Sequence, residues 1–271
     1  MKIGKATVAE SAICTSDDET IVVRGADLCR DLIGKLSFSD YFWLLVTGQR
    51  PDAKASRVID ATLVAIAEHG LVPSVQASRM TLAAAPDALQ GAVAAGILGC
   101  GSVILGASQD AGELFLRIDA LAREKGLSLE AAATEVVRGL RERKLPIPGY
   151  GHPLHKARDP RVARLFDLGV EAGTGGHFVH IAEVIESVLP AITGRDLRLN
   201  VSAAIPAVLL DVGFPATALR GVPILARCAG LIGHLTEELA HPIGFALSYQ
   251  ATREQRYTGA LPPGVTLKAK E

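Results

Sequence analysis

Apolar side chains recur at helical spacing along almost the whole chain, and polar caps and glycine or proline stops divide that pattern into separate helices. Ser37, three residues before Asp40, has the form of a helix-starting capping box, and Gly48 ends the apolar run that follows. Asp52 and Ser128 can cap two further helices. Later helices are predicted at 160–172, 176–189, 201–212 and 222–240.

The helix predicted at 201–212 contains Pro206, which is expected to kink the helix or to mark a displaced start. Only residues 12–14 and 20–24, on either side of a polar turn, have the pattern of a strand hairpin. The sequence has no internal repeat, heptad run or low-complexity segment. The predicted fold class is therefore all-α, with one short N-terminal β-hairpin.

Length and charge limit the classes of partner. The 271 residues can bury a substantial core in one large domain or two modest ones, and the net charge of −1 gives no reason to expect nucleic acid or an anionic membrane. The first residues lack the apolar core of a secretory signal. The four scattered cysteines are typical of reduced thiols, so we expect a cytoplasmic protein. They are Cys14, Cys29, Cys100 and Cys228.

Residues 88–107 contain no charge over twenty residues, a length that can span a bilayer. Five glycines make the segment weakly hydrophobic, and it has no aromatic flank or basic cluster. Small residues at this spacing favour close packing of one helix on another over membrane insertion. The sequence also contains His177 and His180 at helical spacing, but without a fourth ligand this pair does not predict a metal site.

The segment 148–161 carries the densest chemistry of the chain. Two glycines around Tyr150 allow backbone N–H groups to approach a ligand, and His152 can donate a hydrogen bond to an oxygen that becomes negative. Lys156 and Arg161 can neutralise phosphate or carboxylate, Arg161 with two parallel hydrogen bonds. The segment therefore suits an acidic, phosphate-bearing substrate whose carbonyl becomes an enolate. The alternative is a solvated loop between helices.

The pattern Gly-Tyr-Gly-His-x-x-x-Lys-x-x-Asp-Pro-Arg in this segment resembles the active-site loop of the citrate synthase superfamily, which includes the citryl-CoA lyase module of ATP-citrate lyase. Other segments resemble family elements in the same order, from about Arg24 to Gly259. They are 23–28, 37–51, 199–201, 230–234 and 257–259.

The resemblance implies a discontinuous architecture. A large domain would comprise residues 1–106 and 213–271, and a smaller domain at 107–212 would close over the ligand and exclude water. The family is dimeric through packed antiparallel helices. Residues 92–105 are the candidate interface, although their composition also suits an intramolecular core.

The resemblance also assigns roles to individual residues. His152 would polarise the carbonyl of the acid. Arg161, with Arg253 or Arg256, would bind carboxylate, and Asn200 would be a further substrate-binding residue. The residues expected at coenzyme A, present as the acyl-CoA substrate, are Lys144, Pro148, Gly149, Tyr150, Gly151, Lys156 and Arg158.

Two positions depart from the synthase pattern. Leu105 stands where citrate synthases carry a histidine, and the lyase branch likewise has an apolar residue at this position. Ser202 replaces the aspartate that is the general base of both branches. Loss of a general base costs about 10²–10⁴-fold in rate. Either another group acts as base, or the substrate supplies its own with Ser202 positioning a hydroxyl or water, or the protein binds an acyl-CoA without turnover. The candidate bases are Asp110, His155, His234 and Glu238.

The predicted function is accordingly that of a citryl-CoA lyase-like enzyme, which makes or breaks a carbon–carbon bond between acetyl-CoA and a keto acid such as oxaloacetate. Its candidate catalytic residues are His152, Ser202 and Asp110. The alternative function is a catalytically silent acyl-CoA-binding or regulatory homologue. Both hypotheses predict a small-molecule acyl-CoA and a carboxylic acid as ligands, a homodimer or higher homo-oligomer, and no metal, nucleic acid or membrane.

Overall fold

The structure is a computed structural model that describes residues 9–151 and 159–267. Three short strands precede ten α-helices in these residues, which confirms the predicted all-α class. The strands are β1 (Cys14–Ser16), β2 (Ile21–Val23) and β3 (Ala26–Asp27), and a π-helical turn (Leu28–Leu32) follows them. The helices are α1 (Phe38–Thr47), α2 (Ala53–Ala67), α3 (Pro73–Ala84), α4 (Leu89–Lys125), α5 (Leu129–Glu142), α6 (Pro160–Ala172), α7 (His177–Thr193), α8 (Val201–Asp211), α9 (Gly221–Ala240) and α10 (Gly244–Glu254), with a 3₁₀ turn (Ala216–Ala218) before α9.

The predicted helix starts are confirmed by their capping hydrogen bonds. Ser37 Oγ accepts from Asp40 N at 3.1 Å, and the Ser128 hydroxyl accepts from Ala131 N at 3.2 Å. Asp52 caps α2 in the same way through Ala55 N. These side chains occupy N–H groups that have no partner inside their own helix, and so each helix begins where the sequence placed it.

The predicted hairpin is present, with one more strand than expected. β1 and β2 are antiparallel with Cys14 opposite Val23, and β2 also pairs with the two-residue strand β3. The turn between them uses positive φ angles at Arg24 and Gly25. The Arg24 guanidinium donates to Leu45 O at 2.6 Å, which fixes the sheet to α1. A two-residue strand is too short to show the alternation that predicts strands.

Two compact units share the described residues. The first contains the residues up to Ala65 and Gly106–Val222, and the second contains Ile66–Leu105 and the chain from Pro223 onward. The predicted large domain (1–106 and 213–271) and closing domain (107–212) stay a prediction.

Helix α8 is the centre of the first unit. α7 and α6 both pack on it, α5 packs on α7, and every residue from Ala203 to Leu209 is buried. α8 continues through Pro206 from its cap at Asn200, so the predicted alternative of a displaced start is wrong. Gly112 of α4 lies against this region, since a Cβ at Gly112 would come within 3.2 Å of Pro206 Cβ. A helix packed on this many sides makes a rigid support for the residues at its first turn.

The glycine-rich segment at 88–107 packs closely on other helices of the second unit, as predicted. A side chain at Gly96 would come within 2.7 Å of Leu231 Cδ1, and one at Gly99 within 3.2 Å of Ala77 Cβ. α4 departs from helical geometry at Gly101, where φ is 60° and ψ is −178°. By length and composition α4 and the region Ala216–Ala240 could cross a membrane, a criterion that core helices of globular enzymes also meet.

A buried ion pair joins α3 to α9 and α10 in the second unit. Arg79 Nε lies 2.6 Å from Glu238 Oε2, and both side chains are 3% exposed. Glu238 also accepts from the N–H groups of Ile243 and Gly244 at the start of α10. Burial raises the pKa of Glu238, but these backbone donors and Arg79 outweigh it and hold the pKa below the ordinary value.

Substitution of Glu238 by Gln should lower the free energy of unfolding by about 3 kcal/mol, because it leaves the Arg79 charge buried without its closest partner. Glu237→Gln is the matched control: Glu237 also pairs with Arg79 but is 58% exposed, and we expect a cost of about 1 kcal/mol or less. Urea unfolding measures both. Equal losses in the two variants would contradict this account.

Because the pKa of folded Glu238 is lowered, the wild type gains this stability above the unfolded-state pKa of the carboxyl and loses it as pH falls through the folded-state pKa. Glu238→Gln should therefore show a smaller loss of stability than the wild type on acidification.

Candidate active site

The glycine loop is fixed by a short antiparallel bridge to the residues before α8. Tyr150 pairs with Leu199, Gly151 N donates to Arg198 O at 2.8 Å, and Asn200 N donates to Gly149 O at 3.0 Å. Segments almost fifty residues apart in the sequence thus form one element. The resemblance predicted that both segments contribute to one site, and the structure places them together.

Both loop glycines have backbone angles that favour glycine, with φ of 86° at Gly149 and 84° at Gly151. At Gly149 a Cβ atom would lie 2.4 Å from Ala203 Cβ and 3.0 Å from Ala203 N. The absence of a side chain therefore lets the loop touch the first turn of α8. This close approach is the physical reason for glycine at position 149.

The Tyr150 side chain points away from the loop surface and into α7. It is 8% exposed, and its Oη donates to Ala182 O at 2.8 Å. Tyr150 therefore anchors the loop on α7, and only its backbone remains for the coenzyme A contact predicted from the sequence. That contact and those of half-buried Pro148 and exposed Lys144 stay predictions.

Asn200 and Ser202 occupy the start of α8. Asn200 Nδ2 donates to Gly151 O at 2.7 Å, and Asn200 Oδ1 accepts from Ser202 N at 2.9 Å. Ser202 is half-buried, and its hydroxyl makes no hydrogen bond with the residues that the structure describes. Asn200 thus links Ser202 to the loop, and Ser202 stands at the position where the resemblance expects a base.

Glu186 of α7 is a site residue that the sequence analysis missed. Its Oε1 accepts from Leu199 N at 2.7 Å, and the side chain is half-buried. A carboxylate thus lies directly beside the bridge. Four-residue spacing from Ala182, beneath Tyr150, places Glu186 on the same face of α7, but this contact was not predictable because the bridge itself has no local sequence signal.

Arg161 already binds a carboxylate of its own chain. Its Nη2 lies 2.7 Å from Asp159 Oδ2 and its Nε lies 3.0 Å from Asp159 Oδ1, with Asp159 2% exposed. Asp159 also caps α6 by accepting from Arg161 N. An arginine near a helix N-terminus is unfavourable for the helix dipole, and Asp159 offsets that charge. The predicted substrate carboxylate would have to use the remaining edge of the guanidinium.

Asp110 lies at a notch that is open because Gly106 has no side chain. The Cβ position of Gly106 is 3.0 Å from Arg220 Nη2 and 3.7 Å from Asp110 Oδ2. Both side chains belong to exposed residues, and neither forms an ion pair within the described part of the chain. Arg220, which the sequence did not single out, therefore offers a cation beside the predicted base.

The other predicted bases have different surroundings. His234 Nε2 lies 2.8 Å from Glu68 Oε2, and Glu238 is held by Arg79; both belong to the second compact unit. Arg253, also in that unit, is exposed with its guanidinium carbon 5.8 Å from the centre of the Tyr249 ring. His152, His155, Lys156 and Arg158 lie outside the described residues, and their predicted roles stay predictions.

His177, one half of the histidine pair, contacts the carboxylate of Asp119. His177 Nε2 lies 2.7 Å from Asp119 Oδ1, while Asp119 Oδ2 lies 2.9 Å from Arg123 Nη2. Across residues 9–151 and 159–267, no group of three His, Cys, Asp or Glu side chains has the arrangement of a metal site.

Comparison with known proteins identifies the family. The family described as "Citrate synthase, C-terminal domain" matches residues 31–243. The chain belongs to the citrate synthase family. The resemblance stated from the loop and its companion segments is thereby confirmed.

Two solved structures and one sequence relative illustrate the likeness. Citryl-CoA lyase from Hydrogenobacter thermophilus is 31% identical, with a TM-score of 0.83 over 96% of this chain and 98% of that one. An ATP citrate lyase from Methanosaeta concilii in complex with (3S)-citryl-CoA shares the fold at 23% identity, with a TM-score of 0.73 over 97% of this chain and 43% of that one. A citrate synthase from Synechocystis sp. is 28% identical over 76% of this chain and 51% of its own length, so the chain spans about half the length of such relatives.

Gly149→Ala should lower the free energy of unfolding by about 1–3 kcal/mol, because alanine is strained at positive φ and its Cβ meets Ala203. Gly139→Ala is the control. Gly139 lies inside α5 with nothing within 4 Å of a Cβ position, so this substitution should raise the free energy of unfolding by about 0.5–1 kcal/mol. Urea unfolding compares them, and a Gly149→Ala protein as stable as the wild type would refute the close approach.

Proposed function

We propose that the protein is a citryl-CoA lyase-like enzyme that cleaves citryl-CoA, or a closely related hydroxyacyl-CoA, to acetyl-CoA and a keto acid such as oxaloacetate. The observation that carries this proposal is the likeness to the Hydrogenobacter thermophilus citryl-CoA lyase over nearly the full length of both chains. Membership of the citrate synthase family supports chemistry on a CoA thioester. Leu105, in the position shared with the lyase branch, favours cleavage over condensation.

In the proposed reaction a base removes the proton of the substrate hydroxyl. The carbon–carbon bond then breaks, its electron pair forms the enolate of acetyl-CoA, and the former hydroxyl oxygen becomes the keto oxygen. Protonation of the enolate carbon completes acetyl-CoA. His152 donates a hydrogen bond to the oxygen that becomes the keto group, while Arg161 binds a substrate carboxylate. Lys144, Lys156 and Arg158 contact the phosphates of coenzyme A.

Asp110 is the proposed base. A serine hydroxyl such as that of Ser202 has a pKa far above neutrality and does not accept a proton unaided. Glu238 has a lowered pKa and is committed to Arg79, so it is a poor acceptor. Asp110, in contrast, is exposed and has no ion pair with a described residue. The alternatives left by the sequence, which are His155, His234 or a group of the substrate itself, become outcomes of the test.

The test is an assay of purified protein with citryl-CoA, with acetyl-CoA and oxaloacetate measured separately. The wild type should form both in equal amounts, and Asp110→Asn should lower kcat by about 10²–10⁴-fold. Glu113→Gln is the control on the same helix face: Glu113 is exposed and accepts a hydrogen bond from Gln109, and its replacement should leave kcat unchanged. An Asp110→Asn variant of normal activity would exclude Asp110 as the base; absence of products at high enzyme concentration would exclude the lyase.

A second candidate function is a catalytically silent acyl-CoA-binding or regulatory homologue, and Ser202 is the observation that favours it. For such a protein calorimetry should detect binding of coenzyme A, while neither the wild type nor Ser202→Asp should form products. Recovery of turnover in Ser202→Asp would show that only the base had been lost and would reject the silent homologue.

We further propose that the protein is a cytoplasmic homodimer. On α4 the side chains of Leu98 and Val103 are 80% and 86% exposed, and Ile104 is 44% exposed. Apolar side chains this exposed and this close together favour burial against another surface. Gly96 and Gly99 face helices of their own unit, but nothing lies within 4 Å of a Cβ position at Gly101, between Leu98 and Val103, which leaves room there for a second copy of the chain.

A further inference from the structure

We infer that Asn200 is a positioning residue that holds residues 149–151 of the glycine loop against α8, in place of the substrate-binding role expected from the sequence. Its side-chain amide joins the carbonyl of Gly151, the residue before His152, to the N–H of Ser202. The inference rests on the proposed function, because it assigns a part in that reaction to a residue that does not touch the substrate.

The two contacts require an amide in one orientation. Ser202 N is a donor and therefore faces Oδ1 at 2.9 Å, whereas Gly151 O is an acceptor and faces Nδ2 at 2.7 Å. Reversal of the amide would place the Nδ2 donor against the donor Ser202 N and the Oδ1 acceptor against the acceptor Gly151 O. Aspartate and serine also cap helices well, but neither presents a separate N–H donor beside the capping oxygen. The position thus needs one side chain that both caps α8 and donates a hydrogen bond to Gly151 O; we call this second hydrogen bond the clasp.

The clasp acts where the backbone bridge ends. Gly151 N is held by Arg198 O, but among the described residues the side chain of Asn200 is the donor to Gly151 O. A glycine with φ of 84° has more freedom of ψ than any other residue, so a free carbonyl here would leave the orientation of the Gly151 peptide group unfixed. The Asn200 amide removes that freedom immediately before the loop histidine.

Fixed direction matters because misplacement of a reacting group by about 1 Å can cost about 10²-fold in rate. A residue that acts this way lowers kcat when it is changed and leaves KM nearly unaltered, whereas loss of a substrate contact made in both ground and transition states raises KM. The two roles of Asn200 are therefore separable by kinetics.

The informative variant is Asn200→Asp, which keeps the size and the capping oxygen but loses the donor. At neutral pH its carboxylate faces Gly151 O without a proton, and we expect kcat to fall about 10²-fold with KM for citryl-CoA within about threefold of the wild type. Asn200→Ala loses cap and clasp together. Ser128→Ala loses only the matching cap of α5, where Ser128 Oγ accepts from Ala131 N, and should retain full activity.

The pH dependence gives a second signature. A protonated carboxyl group has an O–H donor and can restore the bond to Gly151 O. The ratio of kcat in Asn200→Asp to kcat in the wild type should therefore rise as pH falls towards the carboxyl pKa, which is about 4 for an unperturbed aspartate. The corresponding ratio for Asn200→Ala should stay flat, because alanine has no group to protonate.

Amide hydrogen exchange tests the clasp without any substrate. Exchange at Gly151 N and Asn200 N should become about tenfold faster in Asn200→Asp and Asn200→Ala and stay unchanged in Ser128→Ala, as expected for local opening of a bridge that has lost one bond. Unchanged exchange in Asn200→Asp would overturn the inference, and so would a raised KM with normal kcat. Faster exchange in a protein whose wild type forms no products would support the clasp and reject the lyase.

Discussion

The bridge between Gly149–Gly151 and Arg198–Asn200 is the constraint on which the candidate site depends. Two backbone hydrogen bonds and one side-chain amide hold a glycine loop against a helix whose residues from Ala203 to Leu209 are buried. Tyr150 anchors the loop a second time, on α7. Glu186 of the same helix accepts a hydrogen bond from Leu199 N in the segment Arg198–Asn200. A flexible sequence is thus made rigid by its neighbours, as catalysis by positioned groups requires.

Charge is balanced within short distances in both compact units. Asp159 neutralises Arg161 at the start of α6, and Glu238 neutralises the buried Arg79. A net charge near zero gives no long-range attraction for an anionic substrate. Any affinity for a CoA phosphate or a carboxylate must therefore come from individual cations at the site, either unpaired or with donors to spare, as Arg161 has beyond Asp159. Arg220, beside Asp110 and Gly106, is one such cation within the described residues.

The sequence predicted what local interactions determine. The caps at Ser37, Asp52 and Ser128 act over three residues, and the helices begin there as expected. Two kinds of feature were not predicted from the sequence. β3 is too short to show alternation, and the contacts of Glu186 and Asn200 with the loop join residues distant in the sequence. Resemblance placed the loop and Ser202 in one site, but only the folded chain shows that Arg161 is occupied by Asp159.

The first turn of α8 limits what Ser202 can do. Asn200 satisfies three N–H groups there: its Oδ1 accepts from Ser202 N, and its carbonyl accepts from Ala203 N at 3.1 Å and Ala204 N at 3.2 Å. These N–H groups are consequently not available to stabilise an oxyanion, although helix N-termini often serve that purpose. The hydroxyl of Ser202 is then the polar side-chain group that this turn can offer a substrate. A hydroxyl can orient a water or a substrate oxygen but cannot hold the abstracted proton near neutral pH. The base of the proposed cleavage therefore has to come from outside this turn, as Asp110 of α4 would.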